Sequence, residues 1–264
     1  MRFLPTIPAT VLATALTLAI TVAVAMTQLA AAADIKVISG GAFKQVLNAL
    51  AEQYQKESGN KLDLTYQTVG QHLKLIKSGE EPFDVAVLTP EAIDGLIKDG
   101  KVVAGSRADL AKTGIGVVVK AGAPLPDIGS VEAFKRTLLA AKSVAYIDPA
   151  AGGSSGIYVG QLLERLGIAA AVNAKAKLIH GGAVADHIVD GEAEIGIHQI
   201  SEILAVKGAV LVGPLPAEIQ NFTVYAAGVG TAAKDGATAT ALVKFLAGPH
   251  AGPIIKAKGM EPAS

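Results

Sequence analysis

Short apolar, β-branched runs alternate with stretches of helical apolar spacing along most of the chain. Residues 35–41 (IKVISGG) read as a strand ending in a glycine turn, and residues 43–59 as an amphipathic helix closed by Gly59. A strand at 61–67, a helix at 71–79, a buried strand at 83–89 and a helix at 90–100 follow. This βαβαβα order predicts a mainly parallel sheet covered on both faces. The rhythm then breaks at a long extended run, 113–124. A helix at 131–142 and a strand at 143–147 come next. Residues 150–167 (AAGGSSGIYVGQLLERLG) follow as a small-residue loop and a helix. A strand at 176–180, a short helix at 182–191 and a strand at 193–199 complete that set, before a second long extended run at 222–229 and two closing helices near 237–248 and 250–259.

Two extended runs bracketing a second α/β set predict two lobes joined by crossing strands. The boundaries read as 34–114 with 230–264 for one lobe and 115–229 for the other, with hinges near 114–120 and 222–229. The expected fold class is therefore α/β, two-lobed, with a ligand cleft between lobes at the carboxyl ends of the strands.

Composition narrows the class. The first 33 residues pair Arg2 with an apolar stretch over 9–26 and a small-residue A-x-A site at Ala31 and Ala33. This reads as a secretory signal peptide cleaved before Asp34, placing the mature chain in a periplasm. Removing it leaves about 230 residues, enough for one large or two modest domains. There is no cysteine, so disulfides and thiolate metal sites are excluded. Charge is balanced at 23 basic and 23 acidic residues with no basic cluster, which argues against nucleic acid as a partner. The five histidines show no ligand spacing, and no nucleotide or zinc motif occurs, so neither a metal nor a cofactor is expected.

The turns between strands and helices carry the chemistry. They are Ser39-Gly40-Gly41, Thr68-Val69-Gly70, Thr89-Pro90, Gly153-Ser154-Ser155-Gly156 and Gly181-Gly182. Nearly all are small, hydroxylic or glycine. Free backbone N–H groups at helix starts, joined by hydroxyls, suit an anion. A cap explains any one of these turns by itself; five facing one cleft point to a ligand. Gly152–Gly156 also matches the G-x-S-x-G pattern, but Asp148–Ala151 separate it from its strand, which a nucleophile elbow does not allow.

The stretches SSGIYVGQLLERLGI, VDGEAEIGIHQISEIL and ALVKFLAGPHAGPIIKAKGMEP resemble the type II periplasmic substrate-binding proteins, in the branch of the molybdate binders. The resemblance covers the mature chain. It implies that hydroxyls and N–H groups of such turns hold an oxyanion, here Ser39, Thr89 and Ser155, Gly156, Ile157 and Tyr158. Where that branch has a Ser-Ala-Asp turn this chain has Leu88-Thr89-Pro90, and where it has a ligand tyrosine this chain has His198-Gln199-Ile200-Ser201. The segments GKVVAGSRADLAKTGIGVVVKAGAP and IHQISEIL are similar to a sub-branch that includes a periplasmic aconitate isomerase, which implies di- or tricarboxylates. Arg107 then offers a guanidinium fork for a carboxylate, with Gln71 and Gln199 as further donors.

The ligand set expected is thus Ser39, Gly40, Gly41, Val69, Gly70, Gln71, Thr89, Arg107, Ser154, Ser155, Gly156, Ile157, Tyr158, Gly182 and Gln199. Two functions stay open. One is a monomeric carrier of a small anion, an organic polycarboxylate before a tetrahedral oxyanion, feeding an ABC importer permease. The other is a cofactor-free isomerase of an aconitate-like acid, with His72 or His198 as the base.

Overall fold

The computed structural model describes residues 32–263, so the expected leader falls almost wholly outside the described residues. Among the described residues ten strands form one sheet, eight in a continuous path and two, the eighth and the tenth in chain order, paired beside it with the fourth. The first lobe opens with β1 (Asp34–Gly40), α1 (Lys44–Ser58), β2 (Lys61–Gln67), α2 (Val69–Ser78), β3 (Val85–Leu88) and α3 (Pro90–Lys98). β1 pairs in parallel with both β2 and β3, as the βαβαβα pattern requires. The mixed character enters with β9 (Phe222–Val229), which runs antiparallel to β3 and β4.

β4 (Ala108–Lys120) is the spine. Its first half, Ala108–Gly114, pairs with β9, and its second half, from Ile115, pairs with β7 (Ile195–Gln199) and β8 (Ala209–Pro214). The second lobe adds α4 (Val131–Ala140), β5 (Val144–Ile147), α5 (Ser154–Arg165), α6 (Ala169–Asn173), β6 (Ala176–Ile179), α7 (Val184–Val189) and α8 (Ile200–Ile203). The chain returns through residues 215–221, so β9 itself lies in the sheet of the first lobe. Helices α9 (Gly236–Leu246) and α10 (Ala251–Ala257) and strand β10 (Glu261–Pro262) close the structure on that lobe.

Each lobe is three layers, because its strands are apolar on both faces. In β3, Val85 and Val87 pack under α1 and α9 while Ala86 and Leu88 pack under α2 and α3. In β4, Ile115, Val117 and Val119 face α4 and α5 while Val118 faces α7. Alternation sends successive side chains to opposite faces, so a strand buried on both reads as an unbroken apolar run. Burying each Leu- or Ile-sized side chain contributes about 1.5–3 kcal/mol.

Candidate functional site

The lobes meet along one cleft, which holds a cavity of about 660 Å³. Its first-lobe wall is the Gly40-Gly41-Ala42 turn after β1, Tyr66 and Gln67 at the end of β2, and Thr68-Val69 at the start of α2. The second-lobe wall is Gly153-Ser154-Ser155 at the start of α5, Gly182-Ala183, and His198 and Gln199 at the end of β7. Strand ends and helix starts thus converge, as the position of ligands in open α/β sheets requires.

Local sequence sets the geometry. Thr68 caps α2, accepting from the Gln71 N–H at 3.2 Å, while Gln71 Oε1 accepts from the Thr68 N–H at 3.0 Å. This reciprocal box frees the Thr68 hydroxyl to donate across the cleft to the Ala151 carbonyl. The Gly70 N–H donates to the Gly152 carbonyl at 3.0 Å and Gln71 Nε2 to the His180 carbonyl at 3.1 Å. A Cβ on Gly70 would lie 2.7 Å from Gly152 Cα, so only two glycines allow these backbones to touch. On the other side, Ser201 Oγ donates to the Ala42 carbonyl at 2.9 Å. The lobes are closed on each other.

The turns flanking the cavity hold four of the five small-residue turns expected from sequence. Gly40, Gly41, Val69, Ser154, Ser155, Gly182, His198 and Gln199 all line it. Gly70 and Gln71 stand beside it, in the bridge between lobes. The others have different duties. Ser39 is fully buried, its hydroxyl donating to the Gly40 carbonyl. Thr89 caps α3 through the Ala92 N–H. Arg107 forms ion pairs with Asp94 at 2.7 Å and Asp109 at 2.8 Å, which leaves its fork satisfied on the outer surface. Gly156 packs against the Ile147 carbonyl, Ile157 points to solvent, and the Tyr158 hydroxyl donates to the Ile219 carbonyl at 2.7 Å. His72 is fully buried with both ring nitrogens engaged, Nδ1 with Glu81 at 2.7 Å and Nε2 with the Ser39 carbonyl at 3.1 Å. It belongs to the core beneath the turn.

Sequence reading missed Lys44, Tyr66, Glu202, Lys207 and Tyr225, all of which line the cavity. Lys44 and Lys207 supply cations that Arg107 does not. Glu202 lies four residues beyond His198, and this spacing was the available signal. Its Oε2 is 3.2 Å from His198 Nε2. Burial pushes the His198 ring down to about 3, so it is neutral, and pushes the Glu202 carboxyl up to about 8, with Lys44 pulling the other way. Burial and the nearby Glu202 also raise the Tyr225 hydroxyl. Two buried polar atoms on this wall have no hydrogen-bond partner among the described residues: His198 Nδ1 and Gln199 Oε1. Such orphans are rare and costly unless something else meets them.

The family model described as bacterial extracellular solute-binding protein matches residues 35–261. The chain belongs to that family. This solute-binding protein is 34% identical to an aconitate isomerase from a Pseudomonas species, over 86% of this chain and 87% of the relative. It is 30% identical to the molybdate-binding protein of Azotobacter vinelandii, over 87% of this chain and 90% of that one. Among solved structures, the periplasmic molybdate-binding protein of Azotobacter vinelandii superposes with a TM-score of 0.73 at 22% identity, covering 86% of this chain and 98% of that one. The sulfate-binding protein of Mycobacterium tuberculosis gives 0.71 at 18% identity, covering 88% of each. These likenesses establish the two-lobed α/β fold of periplasmic binding proteins. Among the described residues, no helix is long and apolar enough to cross a membrane.

Proposed function

We propose that the solute-binding protein works in the periplasm, binding a small organic anion with two or more carboxylates and delivering it to an ABC importer. The observation that carries this reading is the cavity itself. At about 660 Å³ it is of a size for an organic ligand and roomy for a single tetrahedral oxyanion. The Val69 N–H at the start of α2, the first N–H groups of α5, the Ser154 and Ser155 hydroxyls, Lys44 and Lys207 supply donors for several carboxylates. One relative is named an aconitate isomerase, which fits a carboxylate ligand, and the other a molybdate-binding protein, which supports only an anion of some kind. Closure would come from flexing β4 and the return segment at 215–221.

The orphaned His198 Nδ1 favours a second reading, cofactor-free isomerisation of an aconitate-like acid in the same cleft. A neutral ring accepts a proton, and a bound polyanion raises its basicity. In that reaction a C–H proton is taken from one carbon, the double bond shifts through an enolate-like anion held by N–H donors, and the proton returns at the other carbon.

A thermal-shift screen against molybdate, sulfate, citrate and trans-aconitate tests both readings, followed by NMR on the aconitate sample. Saturation at a hundred times the dissociation constant adds about 2.7 kcal/mol of stability. The expected result is a shift with the carboxylates. A shift with molybdate alone overturns the carboxylate reading, and conversion of trans- to cis-aconitate in the NMR tube selects the isomerase.

A further inference from the structure

A carboxylic acid in the wall of an anion cleft needs a reason. Glu202 starts from α8, within the second lobe, and reaches the first-lobe turn, where its Oε1 is so close to Gly41 that a Cβ there would stand 2.6 Å away. Its side chain is 16% exposed, and its one basic neighbour within 4 Å among the described residues is the neutral His198 ring, at 3.2 Å. Around it stand Lys44 on α1, His198 on β7 and Tyr225 on β9, with Asp186, Asp190 and Lys207 also lining the cavity. No cation is in contact to hold it as a carboxylate, and an ionised Glu202 would repel the very ligand that the N–H and hydroxyl donors attract.

We propose that Glu202 is a specificity-determining residue that contacts the ligand in its protonated form, donating a hydrogen bond to a carboxylate of the bound anion. This rests on the carboxylate reading of the cleft. The lack of a side chain at Gly41 is what admits the acid to this position, and the buried environment keeps the proton on it at neutral pH. A neutral acid adds a donor without adding charge. A ligand carboxylate accepts from it, whereas a ligand presenting only donors there leaves its proton unmatched.

The test is calorimetric titration with trans-aconitate between pH 6.5 and 9, on the wild-type protein and on Glu202→Gln. Ordinary carboxyls are ionised throughout that range, so the ligand does not change. The wild-type affinity is expected to hold near pH 6.5 and to fall by up to about tenfold per pH unit above 8, as one proton becomes necessary for binding. The amide of Glu202→Gln keeps a donor and cannot ionise, so its affinity should stay within about threefold across the range. A wild-type affinity independent of pH, or the same slope in Glu202→Gln, overturns the proposal while leaving carboxylate binding intact. Absence of trans-aconitate and citrate binding at every pH overturns the carboxylate reading and the proposal with it.

Discussion

His72 and His198 look alike in the sequence, each beside a glycine- or glutamine-bearing turn of the cleft, and the structure buries both. Their surroundings differ. His72 lies under the first-lobe turn with Glu81 on one nitrogen and the Ser39 carbonyl on the other. His198 lies in the second-lobe wall with Glu202 on one nitrogen and, among the described residues, no partner on the other. A ring with both ends satisfied ties a loop to a helix; a ring with one nitrogen unmatched keeps unused hydrogen-bonding capacity. The difference teaches that nearness to a turn in the sequence does not say whether a ring's nitrogens are already engaged in the fold.

The comparison breaks most sharply by replacing each ring with alanine. Under the isomerase reading His198→Ala lowers conversion of aconitate by about 10²–10⁴-fold while the protein stays folded. His72→Ala leaves Glu81 and the Ser39 carbonyl without their partner and lowers stability by about 2–4 kcal/mol, with the per-molecule activity of the folded fraction retained. Equal loss of conversion in both, after correction for the folded fraction, would erase the distinction.

A smaller effect is the pH dependence of stability. The Glu202 carboxyl goes from 4.5 unfolded to about 8 folded, so the stability it supports is full below pH 4.5 and declines as pH rises toward 8. The His198 ring goes from 6.5 unfolded to about 3 folded, so its contribution is present above 6.5 and is lost as pH falls toward 3. Melting temperatures of the ligand-free protein should therefore peak between about pH 4.5 and 6.5. Glu202→Gln should flatten the alkaline side, turn the plateau between about pH 4.5 and 6.5 into a rise, and leave the acid limb unchanged. A decline on that side unchanged by the substitution would separate it from Glu202.

Smallest of all is Arg107→Ala. The side chain lies on the outer surface with Asp94 and Asp109, so its removal should cost no more than about 1 kcal/mol and leave carboxylate affinity unchanged. A tenfold loss of affinity in a titration would return Arg107 to the ligand set.

The fold was largely readable because double-faced strands such as VAVL at 85–88 and the glycine-closed helices announce themselves locally. β8 was missed: its residues are only half-buried, and its place is set by pairing with β4 rather than by its own pattern. Of the site, the glycine and hydroxyl turns were legible because helix starts dictate them. Lys44, Tyr225 and Glu202 were not, since each joins the cavity through contacts between distant segments, such as Glu202 with Gly41. Arg107 misled for the same reason: its partner Asp94 sits thirteen residues away on α3, and only the folded chain brings the two charges together.

β4 gives up half its length to each lobe, with no loop between the halves. Losing the ladder on one side strips partners from a strand that the other side still uses. The two cores are therefore not independent melting units: cooperativity passes through a single backbone, and heat should take both lobes apart in one event. A lobe cut out alone would carry half of β4 as an open edge, inviting another strand to pair there.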